Sequence, residues 1–264
     1  MVTEAVSLEW EYVPEGWQSL DIGGGWNHPS IAARQRYLWP IYSELIEGTG
    51  PLAFRFYTKG AVTPTDEHAH NLFMTFAYVV ARASRHRDRL AVLDWGGGIG
   101  YYALIAKRLL PDQDFDYVVR ELAGLAQLGR ELMPWVSFET DEAICLSRRY
   151  DLVVASCSIH YTHDWQATLS RLAAVARDWL FVTRVPIIRH AKSFVVVQRP
   201  HDYGYQTEYL SWIINRDELL AHMEGLGLTL EREFIAGPRA KAHNAPEASE
   251  TFGFLFRSAA ARGS

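Results

Sequence analysis

Cysteine is nearly absent: Cys145 and Cys157 are the only two in 264 residues, which excludes a disulfide framework. An excess of basic charge is also missing. With 26 Lys and Arg against 31 Asp and Glu, the formal net charge is −5, so the chain carries no global electrostatic footprint for nucleic acid. No apolar run approaches the roughly 18 residues that would suggest a membrane span. No signal-like segment opens the chain, and the expected location is the cytoplasm. Neither His68-Ala-His70 nor His160 and His163 with Asp164 completes a ligand set, so no metal is expected. The local basic run Arg82, Arg85, His86, Arg87 and Arg89 reads as a solvated helix end, where cations suit the helix dipole. Internal repeats and low-complexity segments are missing, and nothing signals an oligomeric state.

What the chain has in quantity is apolar and aromatic surface: 48% hydrophobic and 13% aromatic residues, enough for a substantial core. Its sharpest local feature is Asp94, followed by Trp95-Gly96-Gly97-Gly98-Ile99-Gly100. The run Leu90 to Leu93 reads as a buried parallel strand and Tyr101 to Leu110 as a helix, so the glycines occupy a strand-to-helix turn. A doubly wound sheet binds its cofactor at such a turn, where residues lacking Cβ let a ligand approach the backbone. Gly98-Ile99-Gly100-Tyr101-Tyr102-Ala103 also fits a dinucleotide pattern. Asp94 decides between the two. A carboxylate repels a pyrophosphate but attracts the ammonium and sulfonium of S-adenosylmethionine, directly or through a water.

Residues 1–64 are punctuated by Trp10, Trp17, Trp26 and Trp39 and by Pro14, Gly16, Gly23, Gly24 and Gly25, and read as a packed N-terminal cap of helices and loops. Thr65 or Asp66 caps a helix running to about Arg87. After the glycine turn, strands at Phe115–Val119, Val136–Phe138 and Asp151–Ser156 alternate with helices at Leu122–Met133 and Trp165–Ala176. A fifth strand at Trp179–Thr183 and a helix capped by Asn215 follow, and Leu228–Ile235 and Thr251–Arg257 close the chain as an antiparallel pair. The βαβα alternation predicts an α/β fold with a parallel, doubly wound, Rossmann-like sheet in residues 65–264. Val195 to Tyr205, with Tyr209 and Trp212, is dense in polar aromatics: either a lid over the substrate, inserted at about 186–214, or a hairpin packed on the cap.

Val92 to Gly100, Glu121 after the second strand, Asp141 after the third and Asp151-Leu-Val-Val at the start of the fourth resemble class I S-adenosylmethionine-dependent methyltransferases. More narrowly, Glu11-Tyr-Val-Pro-Glu-Gly-Trp17, Gly25-Trp26-Asn27, Leu93-Asp-Trp-Gly-Gly-Gly and Val182-Thr-Arg-Val-Pro186 look like a bacterial family of sequence-assigned methyltransferases, often encoded near surface-glycan or secondary-metabolite genes. The class implies seven strands with the last antiparallel, S-adenosylmethionine as cofactor and S-adenosylhomocysteine as product. It implies that Asp94, Gly96, Gly97, Gly98 and Gly100 serve the methionine portion. Glu121, with Leu122 beside it, would bind the ribose hydroxyls, although Arg120 occupies the alternative register. Asp141 and Glu142 would serve the adenine, and Ser156 and Cys157 would complete the cofactor site at the end of the fourth strand.

Methyl transfer needs alignment, plus a base where the acceptor must lose a proton. Two histidines follow the fourth strand. Counted from Asp151, His160 falls where the oxygen-methylating small-molecule enzymes that this chain resembles keep a catalytic histidine, whereas the string His163-Asp164-Trp165 matches their His-Asp-Trp after a short insertion. Tyr161, Arg184, Gln198, Arg199, Tyr203, Tyr209 and Trp212 are candidate substrate contacts, Arg184 as an anchor for an anionic group or as one half of a surface ion pair. The expected reaction is O-methylation of a small molecule or glycan intermediate. N-methylation of an amine and a non-catalytic cofactor-binding scaffold are the alternatives. Nucleic-acid methylation is least expected, since the fourth strand ends in Ala155-Ser156-Cys157-Ser158 rather than an amide-Pro-Pro-aromatic string.

Overall fold

A computed structural model of the chain describes residues 9–17, 24–54, 65–240 and 242–258; of the expected 1–64 cap, residues 1–8, 18–23 (with Gly23) and 55–64 lie outside them. The chain opens with strand β1 (Trp10–Val13) and helix α1 (Pro29–Glu47). Helix α1 starts where Pro29 fixes the first turn and the His28 ring accepts from the Ser30 amide. It buries the stripe Ile31, Gln35, Leu38, Tyr42 and Ile46. Asp66 caps α2 (Glu67–Ser84), accepting from the Ala69 amide at 2.8 Å.

The alternating part follows as β2 (Arg89–Trp95), α3 (Tyr101–Leu109), β3 (Asp114–Arg120), α4 (Ala123–Leu132), β4 (Ser137–Glu139), α5 (Glu142–Cys145), β5 (Tyr150–Ser156), α6 (Trp165–Val175) and β6 (Ala176–Ile188). The chain then makes β7 (Phe194–Gln198), β8 (Tyr209–Asn215), α7 (Arg216–Gly225), β9 (Leu228–Ala240) and β10 (Ser249–Ser258). The order β4-β3-β2-β5-β6 is parallel throughout, and β10 lies antiparallel between β6 and β9.

Among the described residues the sheet has ten strands, where seven were expected. The reason is the length of β6, 13 residues against 7 in β5. Pairing with β5 stops at Ser156–Thr183, where the chain turns away at Cys157. The continuation of β6 keeps an open edge there, and β8 takes it at Ile187 and Ile188, with β7 and then β1 adding antiparallel beyond. An unpaired edge of buried β-branched residues would leave backbone groups without partners, so the extension completes the ladder. Part of the N-terminal segment is therefore a sheet strand, and residues 186–214 are mostly hairpin.

The basic run is not simply a solvated helix end. Arg87 ion-pairs with Asp178 and, at 3.4 Å, with buried Asp151, which also pairs with Arg177 and accepts from the Ala91 amide at 2.9 Å. This ties α2 to the sheet at the end remote from the glycine turn. At another contact, Gly129 of α4 lies flat on Phe138 of β4, and a Cβ there would penetrate the ring. Gly129→Ala should destabilise the fold by about 1–3 kcal/mol despite alanine's better helix propensity, because the aromatic ring must leave its packed position. Urea denaturation midpoints at unchanged slope check this.

Candidate active site

Strand β2 delivers Asp94 to the floor of the glycine turn. Its side chain is completely buried; Oδ2 accepts from the Tyr117 hydroxyl at 3.2 Å, and Oδ1 has no hydrogen-bond partner among the described residues. A Cβ on Gly97 would sit 2.5 Å from that carboxylate, so the backbone lies on the acid as only glycine permits. Burial pushes the Asp94 pKa from 3.8 up to about 7, the Tyr117 hydrogen bond opposing and the Glu121 charge adding. The turn is closed by Gly96 N–H to Arg120 C=O at 2.9 Å and Gly100 N–H to Gly97 C=O at 3.1 Å. Gly100, at φ 91°, starts α3.

Glu121 reaches the same turn from the end of β3, accepting from the Gly98 amide at 3.3 Å and from the Leu122 amide. Burial pushes its pKa from 4.5 up to about 7, with the Leu122 bond, the Arg120 charge and the Gly98 bond opposing. Arg120 lies over the Trp95 ring at 4.8 Å and donates to Glu142 at 2.6 Å. Of the two registers, Glu121 is therefore the one bonded to the glycine backbone.

A cavity of about 220 Å³ runs from Glu121, Leu122 and Leu125 along Gly96–Ile99 to Ser156, Cys157 and Ser158. Ser156 is fixed by the Tyr102 hydroxyl at 3.1 Å. Asp141 and Glu142 are not in its wall: Asp141 caps α5 through the Ala143 amide at 2.8 Å, and Glu142 is held by Arg120 and, at 2.7 Å, by Arg171.

A second cavity, about 290 Å³, adjoins the first and takes in His160, Gln198, Tyr203 and Tyr209 together with Glu9, Asp66 and His68. The two share Trp26, Cys157, Tyr161, Arg184 and Tyr205. Cys157 (φ 53°) and Arg184 (φ 57°) are both in the left-handed region. Arg184 lies in a β-bulge opposite β10, a device that re-aims a side chain, and the bend turns it to the shared wall. Trp26 stacks on Tyr209 at 4.4 Å and meets Tyr161 edge-on at 4.9 Å.

His160 and His163 separate completely. The 3-10 turn Ile159–Tyr161 buries His160 to 1% exposure, while Asp164, capping α6 through the Ala167 amide, keeps His163 outside against the Trp17 edge. His160 Nε2 lies 3.9 Å from Cys157 Sγ, and its Nδ1 has no partner among the described residues. Burial, with the Arg184 charge adding, depresses its pKa from 6.5 to about 3. Arg199 and Trp212 also lie outside both cavities: Arg199 pairs with Glu11 and Glu208, and Trp212 stacks on Trp17. Trp26, Gln35, Tyr205 and Glu9 line the site without having been singled out as site residues from the sequence. Trp26, in the Gly-Gly-Trp string, and Tyr205, in the polar-aromatic segment after the fifth strand, carried a local signal; Gln35 and Glu9 carried none.

Among the described residues no group of three or more His, Cys, Asp or Glu could hold a metal ion, and no helix is long and apolar enough to cross a membrane. A family model for a methyltransferase domain matches residues 68–233. The structure is similar to a protein of Galdieria sulphuraria assigned as a sarcosine dimethylglycine methyltransferase, at TM-score 0.54 and 12% identity, over 86% of this chain and 99% of that one. It is similar to an assigned S-adenosylmethionine-dependent methyltransferase of Listeria monocytogenes, at TM-score 0.50 and 10% identity, over 70% and 98%. The magnesium protoporphyrin IX methyltransferase of Synechocystis PCC 6803, solved with S-adenosylhomocysteine, matches at 0.47 and 14%, over 85% and 98%. At these identities the likeness is one of fold. No curated protein sequence matches the chain.

Proposed function

Because the chain belongs to the methyltransferase-domain family and uses S-adenosylmethionine, we propose that it methylates an oxygen of a small-molecule or glycan-intermediate acceptor seated in the second cavity. The observation that carries this reading is the shared wall of Trp26, Cys157, Tyr161, Arg184 and Tyr205, which lets two ligands meet side by side. The residues of the first cavity fit the cofactor: a glycine backbone laid on a buried acid, and Glu121 with two oxygens for a diol. When bound, S-adenosylmethionine supplies a methyl carbon activated by the sulfonium. The chain supplies alignment, and residues 186–214, through Gln198, Tyr203 and Tyr209, serve as the acceptor's lid.

His160 is the proton acceptor in this reading. With its pKa near 3 the imidazole is neutral at working pH and has its lone pair available. Charging it beside Arg184 in a dry site is unfavourable, so it suits an acidic oxygen such as a phenol or enol better than an aliphatic alcohol. Glu9 and Asp66 in the acceptor cavity favour a second reading, an amine acceptor drawn in by its charge.

Titration with S-adenosylhomocysteine and, separately, NADH tests the cofactor site. His160→Gln tests the acceptor: with an oxygen that must lose its proton, turnover falls roughly 10²–10⁴-fold at unchanged S-adenosylhomocysteine affinity. Turnover within about threefold of wild type would remove His160 as base and favour nitrogen.

A further inference from the structure

We propose that Gln35, from α1 and remote in sequence from the glycine turn, binds the amino-acid end of the cofactor by accepting a hydrogen bond from its α-ammonium. The proposal rests on the cofactor assignment. Every other buried residue on the α1 stripe, Ile31, Leu38, Tyr42 and Ile46, is apolar or aromatic, as a packed helix face requires. An amide among them is unfavourable unless its polar atoms are satisfied.

Gln35 is only 6% exposed and half satisfied: Nε2 donates to the Tyr205 hydroxyl at 2.7 Å, whereas Oε1 accepts from none of the described residues. Gln35 lies in the wall of the first cavity, so the missing donor is one that a ligand there brings. Its place along the cavity narrows the choice. Tyr205 belongs to both cavities and packs edge-on to Trp26, so Gln35 sits at the shared end. Glu121, Leu122 and Leu125 mark the opposite end, where a carboxylate suits the ribose hydroxyls.

The donor groups of S-adenosylmethionine are the adenine amine, the ribose hydroxyls and the α-ammonium. With the ribose hydroxyls assigned to Glu121 and the adenine beyond them, the ammonium is the donor left for the end where Gln35 sits. Asp94 lies beneath Gly97 rather than in the cavity wall, so it favours the cation through the turn and leaves the first contact to a neutral acceptor such as Gln35 Oε1. By holding Tyr205 with its other arm, Gln35 would also tie the cap helix to the wall that both ligands share.

The experiment compares S-adenosylhomocysteine with 5′-methylthioadenosine, which keeps the adenosine and the sulfur but lacks the amino-acid end, by calorimetry. Gln35→Leu should weaken S-adenosylhomocysteine roughly ten- to a hundredfold, as expected for a hydrogen bond to a charged group, and leave 5′-methylthioadenosine within about threefold. Gln35→Glu should bind S-adenosylhomocysteine at least as well as wild type. Equal weakening of both ligands by Gln35→Leu, or of neither, overturns the proposal. Ligand-free melting and the 5′-methylthioadenosine arm report folding, and Gln35→Met replaces the leucine variant should that melt early. Failure of wild type to bind either ligand would instead sink the cofactor assignment.

Discussion

Asp94→Ala should weaken S-adenosylhomocysteine binding by about a hundredfold or more and leave the chain folded. Two effects combine. The alanine empties the space on which Gly97 rests and strips the Tyr117 hydroxyl of its acceptor, so the turn loses its floor. It also removes the negative charge under the cofactor's cationic end. At an effective dielectric near 20, unit charges roughly 6 Å apart interact by about 3 kcal/mol, a factor of about a hundred in affinity. Asp94→Asn separates the two, since the amide keeps the shape and loses the charge. Asn binding like wild type at neutral pH would make Asp94 a scaffold only; Asn binding as weakly as alanine would make the charge decisive. Circular dichroism and melting monitor the fold, which tolerates the loss because a buried carboxylate with an empty lone pair is itself unfavourable.

The cofactor half of this site is legible in the sequence because its determinants are local. The strand, the acid and the glycines lie within Leu90 to Gly100, and the periodicity switches from strand to helix across them. The antiparallel closing pair was also legible, from the two strand-like segments Leu228–Ile235 and Thr251–Arg257. The acceptor half was not, because non-local pairing builds it. Glu9 enters through β1, whose partner β7 lies some 185 residues further along, and nothing in Trp10–Val13 states which edge it will take. The open edge exists only because β6 outruns β5. Gln35 reads as one polar residue on an amphipathic helix, and only packing shows that it points inward. His160 and His163 are alike in sequence; the cap at Asp164 and the 3-10 turn before it decide which is buried. Asp141 shows the converse. The carboxylate that sequence reading gave to adenine is taken up by the Ala143 amide in the first turn of α5.

Cofactor binding should release protons on the acid side of neutrality and few at pH 8. Asp94 and Glu121 are both pushed up to about 7, in each case by burial first, with the charge of Glu121 a smaller upward push at Asp94, so both carboxyls titrate near neutrality. Their partners on the cofactor, an ammonium and a diol, bind best to ionised carboxylates. At about pH 6 the free protein holds most of both protons, and binding expels between one and two. At about pH 8 they have already gone. Calorimetry of S-adenosylhomocysteine in two buffers of different ionisation enthalpy reads this directly: the heats should diverge near pH 6 and converge near pH 8, affinity should rise between them, and Asp94→Asn should release one proton fewer. Equal heats in both buffers near pH 6 would mean that the pair does not change protonation on binding. Stability of the ligand-free fold should move the other way. Each raised carboxyl binds a proton in the folded chain that the unfolded chain has shed, so its contribution falls as pH rises from about 4.5 to about 7. His160, depressed to about 3, acts in the opposite sense between about 3 and 6.5, because there the unfolded chain holds the extra proton. Two carboxyls outweigh one imidazole above about pH 4.5, so through these three groups the ligand-free protein should melt at a lower temperature at pH 7.5 than at pH 5.5. Saturating S-adenosylhomocysteine should narrow that difference, because it favours the ionised pair that burial alone resists.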